Sequence, residues 1–339
     1  MLVHSLRAYI DVLLRIGFRS LFFRLVRIFT VKCGFAIITR PIKRVTNSLI
    51  IGKCPSVSEN EDIFFNWWLN QPQKVFKQCP QIYRELLSNW LTESDVSKLR
   101  KRATLACSGK ILAFRTWYAD YGDPTNWFID PVSRNTWPSS VHSFKIGHQP
   151  KDNNLNDIKY VWEVGRFIHL SDVIRYLFFS KDRNIKYKTI QQIQSFEDKN
   201  FMYSGIHWIS EQEVAIRTLF FTRLLFVLRS LKFLNTDDTL LLMRQIFAGA
   251  MFCYKENNYA KHCIANNHFL AGGIAMYMTA VAFPWHKHAK KWKSKGRDHI
   301  IKCLNQWNND GGYIQPSHNY HRLALNYLLY AKLFANADN

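Results

Sequence analysis

Apolar and polar positions divide this chain into three stretches. Residues 1–50 mix apolar and basic positions in a pattern that predicts helix, and after a short loop helical patterns resume through roughly 60–105. Residues 107–150 are rich in Gly, Pro and Trp, which predicts a turn-rich segment with a short strand at 111–114. From Tyr160 onward the helical period continues almost to the end of the chain.

The second half predicts a series of helices joined by short loops. Apolar residues keep one helical stripe from Trp162 to Leu177, and Ser210 with Glu213 forms a predicted capping box for a helix that runs to Leu234. Further helices are predicted at 238–253, 267–283, 297–307 and 318–333, with a loop rich in Lys and His at 285–295. The pattern is typical of an all-α array of antiparallel hairpins, either a bundle or a toroid.

The net charge narrows the choice of partners. The chain has 339 residues, of which 47% are hydrophobic and 21% charged, so it fits a globular protein of one large domain or two ordinary ones. Its net charge of +21 attracts polyanions, whether nucleic acid, anionic lipid or acidic polysaccharide. Because zinc-finger spacings, RNA-binding motifs and long Lys/Arg blocks are missing, we expect no nucleic-acid partner.

The seven cysteines predict no special chemistry. They are an odd number, widely scattered, and none forms a Cys-x-x-Cys pair. The sequence therefore predicts neither a disulfide framework nor a metal cluster, and we expect no cofactor.

The basic N-terminal segment leaves two interpretations open. Residues 6–31 predict a helix in which Arg19, Arg24 and Arg27 interrupt the apolar runs, unlike a cleavable signal peptide. The helix either lies on an anionic membrane face or packs its apolar side on the domain and leaves its arginines in solvent. The uncharged run at 269–285 is shorter than the ~20 residues of a membrane span, so we predict no transmembrane helix.

Two polar segments carry the candidate chemistry. Asn267-His268 stands at the start of a predicted helix, and Tyr320-His321 follows the turn that begins at Asp310. Each segment alone is explained by a helix cap, a turn or a core aromatic. Together they offer a phenol, imidazoles and a carboxamide. These groups can remove a proton beside a carboxylate, which is the chemistry of cutting an acidic polysaccharide by elimination.

The order of the motifs resembles the heparinase II/III family of polysaccharide lyases over nearly the whole chain. Besides the two segments above, three motifs match in order: Asp123-Pro124 with Trp127 and Asp130-Pro131, then Trp162-Glu163-x-x-Arg166-Phe167, then Trp208-x-Ser210-x-x-Glu213-x-Ala215-x-Arg217. The resemblance implies an N-terminal (α/α) toroid followed by a β-sandwich domain. Residues 51–339 are then expected to form an incomplete toroid, and residues 1–50 a separate basic helical segment.

The resemblance also implies a reaction, β-elimination at a uronic acid. Asn267 with His268 is implied to bind the uronate carboxylate, Tyr320 to move the proton, and His321 to orient Tyr320. Five more residues that match family motifs are expected to bind substrate: Trp208, Glu213, Arg217, Trp162 and Arg166. A structural pair between Glu213 and Arg217, spaced i and i+4, stays open.

Two departures from the family pattern weaken this expectation. Gln315 stands where the family usually has an acidic residue, and the sequence ends at Asn339, before any β-sandwich domain. We therefore expect impaired activity, and a non-catalytic protein that binds acidic glycans or assembles surface polysaccharide stays open as the alternative.

Overall fold

A computed structural model describes residues 17–52, 54, 60–76, 85, 89–147, 154–264 and 266–338. The start of the predicted N-terminal helix, before residue 17, and most of the helical pattern at 80–91 lie outside these residues.

The first part of the chain is helical, as predicted. Its helices are α1 (Phe18–Lys32), α2 (Phe35–Thr39), α3 (Asn47–Ile51), α4 (Glu61–Asn70) and α5 (Glu93–Cys107). The Asn60 side chain caps α4, and Thr92 with Asp95 forms a capping box on α5. Ile50 and Ile51 of α3 belong to the same hydrophobic core as the later helices, so this segment joins the main body.

Helix α1 contacts the body through a mixed face, on which the Phe23 ring stacks on His262 and two arginines reach polar groups. None of its residues is buried, whereas the Arg27 guanidinium lies 2.7 Å from the buried Glu256 carboxylate and Arg24 donates a 2.6 Å bond to the Cys263 carbonyl. The open interpretation in which the helix packs on the domain and leaves its arginines in solvent is therefore wrong for Arg27, which turns inward to Glu256. Phe18 and Phe29 instead remain 76% and 70% exposed.

The turn-rich segment contains one small antiparallel sheet. Strand β1 (Lys110–Ala113) matches the predicted strand and pairs with β2 (Trp117–Asp120), with Ile111 opposite Ala119. The sheet packs on the end of α5 and on the following helix, α6 (Lys159–Gly165).

The long apolar stripe after Tyr160 is two helices rather than one. Helix α6 ends at Gly165, and Phe167 adopts a positive φ of 57° before α7 (Leu170–Ser180) begins. A phenylalanine rarely takes this conformation, and the buried Phe167 side chain holds it there by stacking on Trp127.

The remaining helices form the predicted all-α array. They are α8 (Arg183–Lys199), α9 (Glu211–Ser230), α10 (Thr236–Tyr259), α11 (Asn267–Ala282), α12 (Ala289–Leu304) and α13 (His318–Asp338). Helix α9 ends before Leu234, and α12 begins at Ala289 rather than 297. Most of the loop predicted at 285–295 is therefore helix.

Helices α9 and α11 form the centre of the array. Nearly every residue from Glu211 to Leu228 and from Phe269 to Val281 is buried, which is typical of helices surrounded on all sides. Helix α11 packs against α9, α10, α12 and α13. No described helix is long and apolar enough to cross a membrane, and the described cysteines are all unpaired by disulfides.

Candidate functional site

Helix α11 is capped by Asn266, so the side chain of Asn267 is available for other contacts. The side chain of Asn266 accepts the hydrogen bond from the His268 backbone N–H at 3.0 Å and so caps α11. Asn267 is 1% exposed, and its Nδ2 donates to Oε1 of Gln212 on α9. Its Oδ1 is buried and has no hydrogen-bond partner among the residues that the structure describes. The cap explanation thus applies to Asn266 and not to Asn267.

His268 meets the start of α9. Its Nδ1 lies 3.4 Å from the Ser210 hydroxyl, the N-cap residue of α9, and that hydroxyl makes no capping bond to its own helix. The predicted capping box of Ser210 and Glu213 is therefore wrong. Both side chains face neighbouring elements instead of their own backbone.

The turn that begins at Asp310 brings the chain back to Asn267. The Asp310 carboxylate accepts a 2.8 Å bond from the Gly312 N–H, and Gly311 has a φ of +84° that suits glycine. Trp307 pairs with Tyr313 across this turn. Gln315 then places its Oε1 3.5 Å from the Asn267 backbone nitrogen, so the residue that departs from the family pattern contacts the predicted site.

Tyr320 and His321 lie in the first turn of α13. The Tyr320 side chain is 40% exposed, and its hydroxyl forms no hydrogen bond within the described residues. His321 is partly buried, and its backbone N–H donates to the Ser317 carbonyl at 2.9 Å. The structure therefore leaves the Tyr320 phenol accessible and does not bond it to Asn267.

Two of the predicted substrate-binding residues form an ion pair at the same end of the array. Arg166, just before α7, contacts Glu213 of α9 at 2.5 Å and Glu163 at 3.1 Å. Burial alone would lower the pKa of Arg166, but these two carboxylates raise it. Burial raises the pKa of Glu163 despite the positive charge of Arg166. Because Glu213 pairs with Arg166, the expected pair with Arg217 does not form.

The other three predicted substrate-binding residues are buried. Arg217 is 2% exposed, lies 4.6 Å from the Trp208 ring, and donates to the His207 carbonyl at 2.7 Å. Burial lowers its pKa to about 9. Trp162 and Trp208 each donate their indole N–H to a backbone carbonyl. These contacts fix the segment that leads into α9.

Sequence reasoning missed three polar residues near the site. Gln212 holds Asn267, and nothing in its own sequence context distinguishes it from other helix-start residues. Tyr327 lies two turns along α13 from Tyr320 and is 2% exposed, and its hydroxyl has no hydrogen-bond partner among the described residues. Burial raises the pKa of Tyr327, and Glu213 adds to the shift. His299 packs 4.0 Å from the ring of Phe269 in the first turn of α11.

Positive charge surrounds the start of α11. Burial lowers the pKa of His299 to about 3, and Lys295, Lys302 and Lys261 lower it further. The pKa of Lys261, in the π-helical turn Ala260–Ile264 before α11, is lowered by burial and by its cationic neighbours. Such a cluster favours anions in this part of the molecule.

Comparison with known proteins supports the resemblance. A family model described as the heparinase II/III N-terminus matches residues 73–339. Among solved structures, a heparinase III with methylated lysines has 16% identity and a TM-score of 0.53, covering 71% of this chain and 37% of its own. No curated protein matches.

Two further solved structures resemble the chain less. Another heparinase III has 14% identity and a TM-score of 0.49, covering 87% of this chain and 44% of its own. A heparan sulfate lyase, HepC from Pedobacter heparinus, has 14% identity and a TM-score of 0.46, covering 77% and 42%. The chain thus spans less than half the length of each of these structures.

Proposed function

The chain belongs to the heparinase II/III family, and we propose that it binds a uronate-containing acidic polysaccharide beside Asn267 and cleaves it by β-elimination. The observation that carries this proposal is the Asn267 carboxamide. It is freed from capping, is buried, and has one end without a partner.

The amide geometry suits a carboxylate ligand. Rotation of an Asn or Gln side-chain amide by 180° exchanges its donor and acceptor ends with little change in shape. If the Gln212 amide donates to Asn267 Oδ1, the Asn267 NH₂ takes the position that now lacks a partner. That NH₂ then donates to a uronate carboxylate, with the imidazole of His268 beside it.

Stabilising the carboxylate makes the reaction accessible. The proton on C5 of a uronate is only weakly acidic, because the ionised carboxylate resists further negative charge. Donors placed where that charge develops lower the barrier, and one such donor contributes roughly 10²–10³-fold in other enzymes. Positive charge from Lys261 and its neighbours adds to this effect.

Tyr320 supplies the proton transfer in this proposal. As phenolate it takes the C5 proton, the electron pair left on C5 forms the C4=C5 double bond, and the C4–O bond breaks. The leaving oxygen then takes the proton from the Tyr320 phenol, and the products are an unsaturated sugar and a new hydroxyl end. His321 orients the phenol. A free phenol has a pKa near 10, so positive surroundings assist its role as a base.

We assign a supporting role to the five predicted substrate-binding residues. Arg166 with Glu213 joins the segment before α7 to the start of α9. Trp162, Trp208 and Arg217 hold the loop that precedes α9. In this proposal they keep Gln212 and Ser210 aligned with Asn267 and His268, and they do not touch sugar.

The proposal is tested by incubating the protein with several uronate polysaccharides and following the ultraviolet absorbance of the new double bond. We expect product from at least one substrate, and loss of it in Tyr320→Phe and Asn267→Ala. Tyr187→Phe, at another exposed tyrosine, is the matched control. Equal product from Tyr320→Phe and wild type would contradict the role of Tyr320.

A non-catalytic glycan-binding protein is the second candidate. The cationic cluster near the start of α11 favours anion binding whether or not turnover follows. Salt-sensitive binding of a polysaccharide without product, in a protein whose Asn267→Ala variant binds less tightly, would identify this function.

We also propose that α1 contacts an anionic membrane surface. Its Arg24 and Arg27 bind the protein body. Phe18, Phe22 and Phe29 point outward beside the exposed Arg19 and Lys32. Apolar side chains with flanking positive charge suit the boundary between lipid headgroups and acyl chains.

Vesicle sedimentation tests the membrane contact. Vesicles containing phosphatidylserine should bind the wild type more than phosphatidylcholine vesicles do, and Phe22→Ser/Phe29→Ser should weaken this binding. Ile301→Ser/Leu304→Ser, at two exposed apolar residues of α12, should not. Equal binding by both double variants contradicts the contact.

A further inference from the structure

A second polar cavity lies between α5, the β1–β2 turn and the start of α7. This α5–α7 pocket has a volume of about 280 Å³, near the lower limit of ligand sites. Its polar lining comes from Arg102, Arg115, Tyr118, His169, Ser171, Asp172 and Arg175. A neighbouring cavity of about 290 Å³ shares Arg102, Asp172 and Arg175 with it, so the concave surface continues along α5 and α7.

The pocket carries an excess of positive charge. Arg175 lies 3.4 Å from Asp172, which neutralises one of the three arginines. Arg102 and Arg115 have no carboxylate partner within the described residues. A guanidinium binds carboxylate and sulfate oxygens through paired hydrogen bonds, so two unpaired arginines on one cavity suit an anionic ligand.

The chain holds Arg115 in place at a conformational cost. Phe114 and Arg115, in the turn between β1 and β2, both have positive φ angles, 50° and 60°. A type I′ hairpin turn requires a positive φ at both central residues, and the Thr116 N–H closes this one on the Ala113 carbonyl at 3.0 Å, so the turn fixes the position of Arg115.

His169 gives the pocket an unused polar group. Both of its ring nitrogens are buried, and neither has a hydrogen-bond partner in the described part of the chain. Burial lowers its pKa to about 4, so the imidazole is neutral near pH 7. Most buried polar groups in proteins have partners, so this one calls for an explanation.

The rest of the lining suits a sugar ring. Ala106, Leu112 and Ile168 supply apolar surface, and the half-exposed Tyr118 supplies an aromatic face. An apolar wall combined with unpaired arginines matches a ring that has one apolar face and anionic substituents.

The pocket lies two helices from the proposed cleavage site. His169 directly precedes α7, Arg166 just before it pairs with Glu213 of α9, and Gln212 beside Glu213 contacts Asn267 of α11. Packed helices are about 8–10 Å apart, so the starts of α7 and α11 are separated by two such spacings. A polysaccharide of several sugar units spans that distance.

We propose that the α5–α7 pocket binds an anionic sugar unit of the same polysaccharide chain, several units away from the bond cleaved beside Asn267. The proposal rests on the proposed function. Binding at two places on one ligand strengthens the affinity for long oligosaccharides and leaves that for short ones unchanged.

Calorimetric titration with heparan sulfate oligosaccharides of two lengths, a disaccharide and an octasaccharide, tests this pocket. The exposed pair Arg102→Ala/Arg115→Ala should weaken octasaccharide binding by about tenfold or more, since it removes two charge-assisted contacts. Arg100→Ala/Lys101→Ala removes two exposed charges from the same helix outside the pocket and should change binding less than about twofold. Disaccharide binding should stay the same in both.

The outcomes separate this pocket from the cleavage site. If Asn267→Ala weakens octasaccharide binding and Arg102→Ala/Arg115→Ala does not, the pocket proposal is overturned and the proposed function stands. Weakening by the arginine pair but not by Asn267→Ala supports the pocket and contradicts the proposed function. If both double variants weaken octasaccharide binding equally, general charge attraction explains the binding and the pocket proposal is overturned. A wild type that binds neither oligosaccharide also overturns it.

Discussion

At one end of the helical array, α8 and α10 begin with ordinary side-chain caps. Asp182 caps α8, Asn235 caps α10, and Lys186 pairs with Asp238 between them. At the other end, α9 begins without a side-chain cap bond, and its Ser210 faces His268 of α11. The difference teaches that the caps of α8 and α10 serve their own helices, whereas the Ser210 side chain at the start of α9 faces α11, where we place the functional site.

The largest expected loss of stability comes from breaking the ion pair between Arg166 and Glu213 near the start of α9. Glu213→Ala leaves Arg166 mostly buried with only Glu163 as a partner, and removing one member of a buried pair costs about 3–5 kcal/mol. The free energy of unfolding in urea measures this. Glu93→Ala, at an exposed position of α5, is the control, with less than about 0.5 kcal/mol expected. Similar values for both would show that the pair does not hold the two helix starts together.

The next largest effect is a pH-dependent change in the free energy of unfolding, which arises from Glu211. Burial raises the pKa of Glu211, the first residue of α9, to about 7, and the nearby Glu256 adds to the shift. The folded state therefore binds this proton more tightly than the unfolded state. Stability falls as pH rises from the unfolded value near 4.5 to about 7, and it then stays reduced.

Glu211→Gln should remove this loss and stabilise the protein above pH 7, by on the order of 2–3 kcal/mol. Urea unfolding at pH 5 and pH 8 measures the difference between the two conditions, with Glu93→Gln as the control. A variant with the same pH dependence as the wild type would contradict the buried, protonated state of Glu211.

A smaller effect tests the comparison of the two ends directly. Asn235→Ala removes an ordinary cap and should cost about 1 kcal/mol. Ser210→Ala removes only a long contact to His268, and it should cost less than about 0.5 kcal/mol. Thermal unfolding of both variants gives the order, and a larger loss for Ser210→Ala would show that the α9 start is capped after all.

Sequence periodicity predicted the helical fold, because it depends on neighbours along the chain, whereas the site residues chosen from the order of the motifs stay a prediction. The strand predicted at 111–114 and most helices after Ser210 appeared near their predicted positions, whereas the helix predicted at 297–307 begins at Ala289. The partners of Ser210 and Glu213 did not follow the prediction, because a capping pattern is local whereas the competing His268 and Arg166 approach only after the helices pack. The same holds for α1, whose Arg27 turned inward to reach Glu256.

The central claim is that the Asn267 carboxamide binds the carboxylate of a uronate. The most direct measurement compares the affinity of a uronate oligosaccharide with that of its carboxyl-reduced, neutral form, for the wild type and for Asn267→Ala, with Asn235→Ala as the control. We predict that the wild type and Asn235→Ala prefer the charged form by about tenfold or more, since hydrogen bonds to a charged group contribute about 1.5–3 kcal/mol. Asn267→Ala should lose most of that preference. An unchanged preference in Asn267→Ala would contradict the claim.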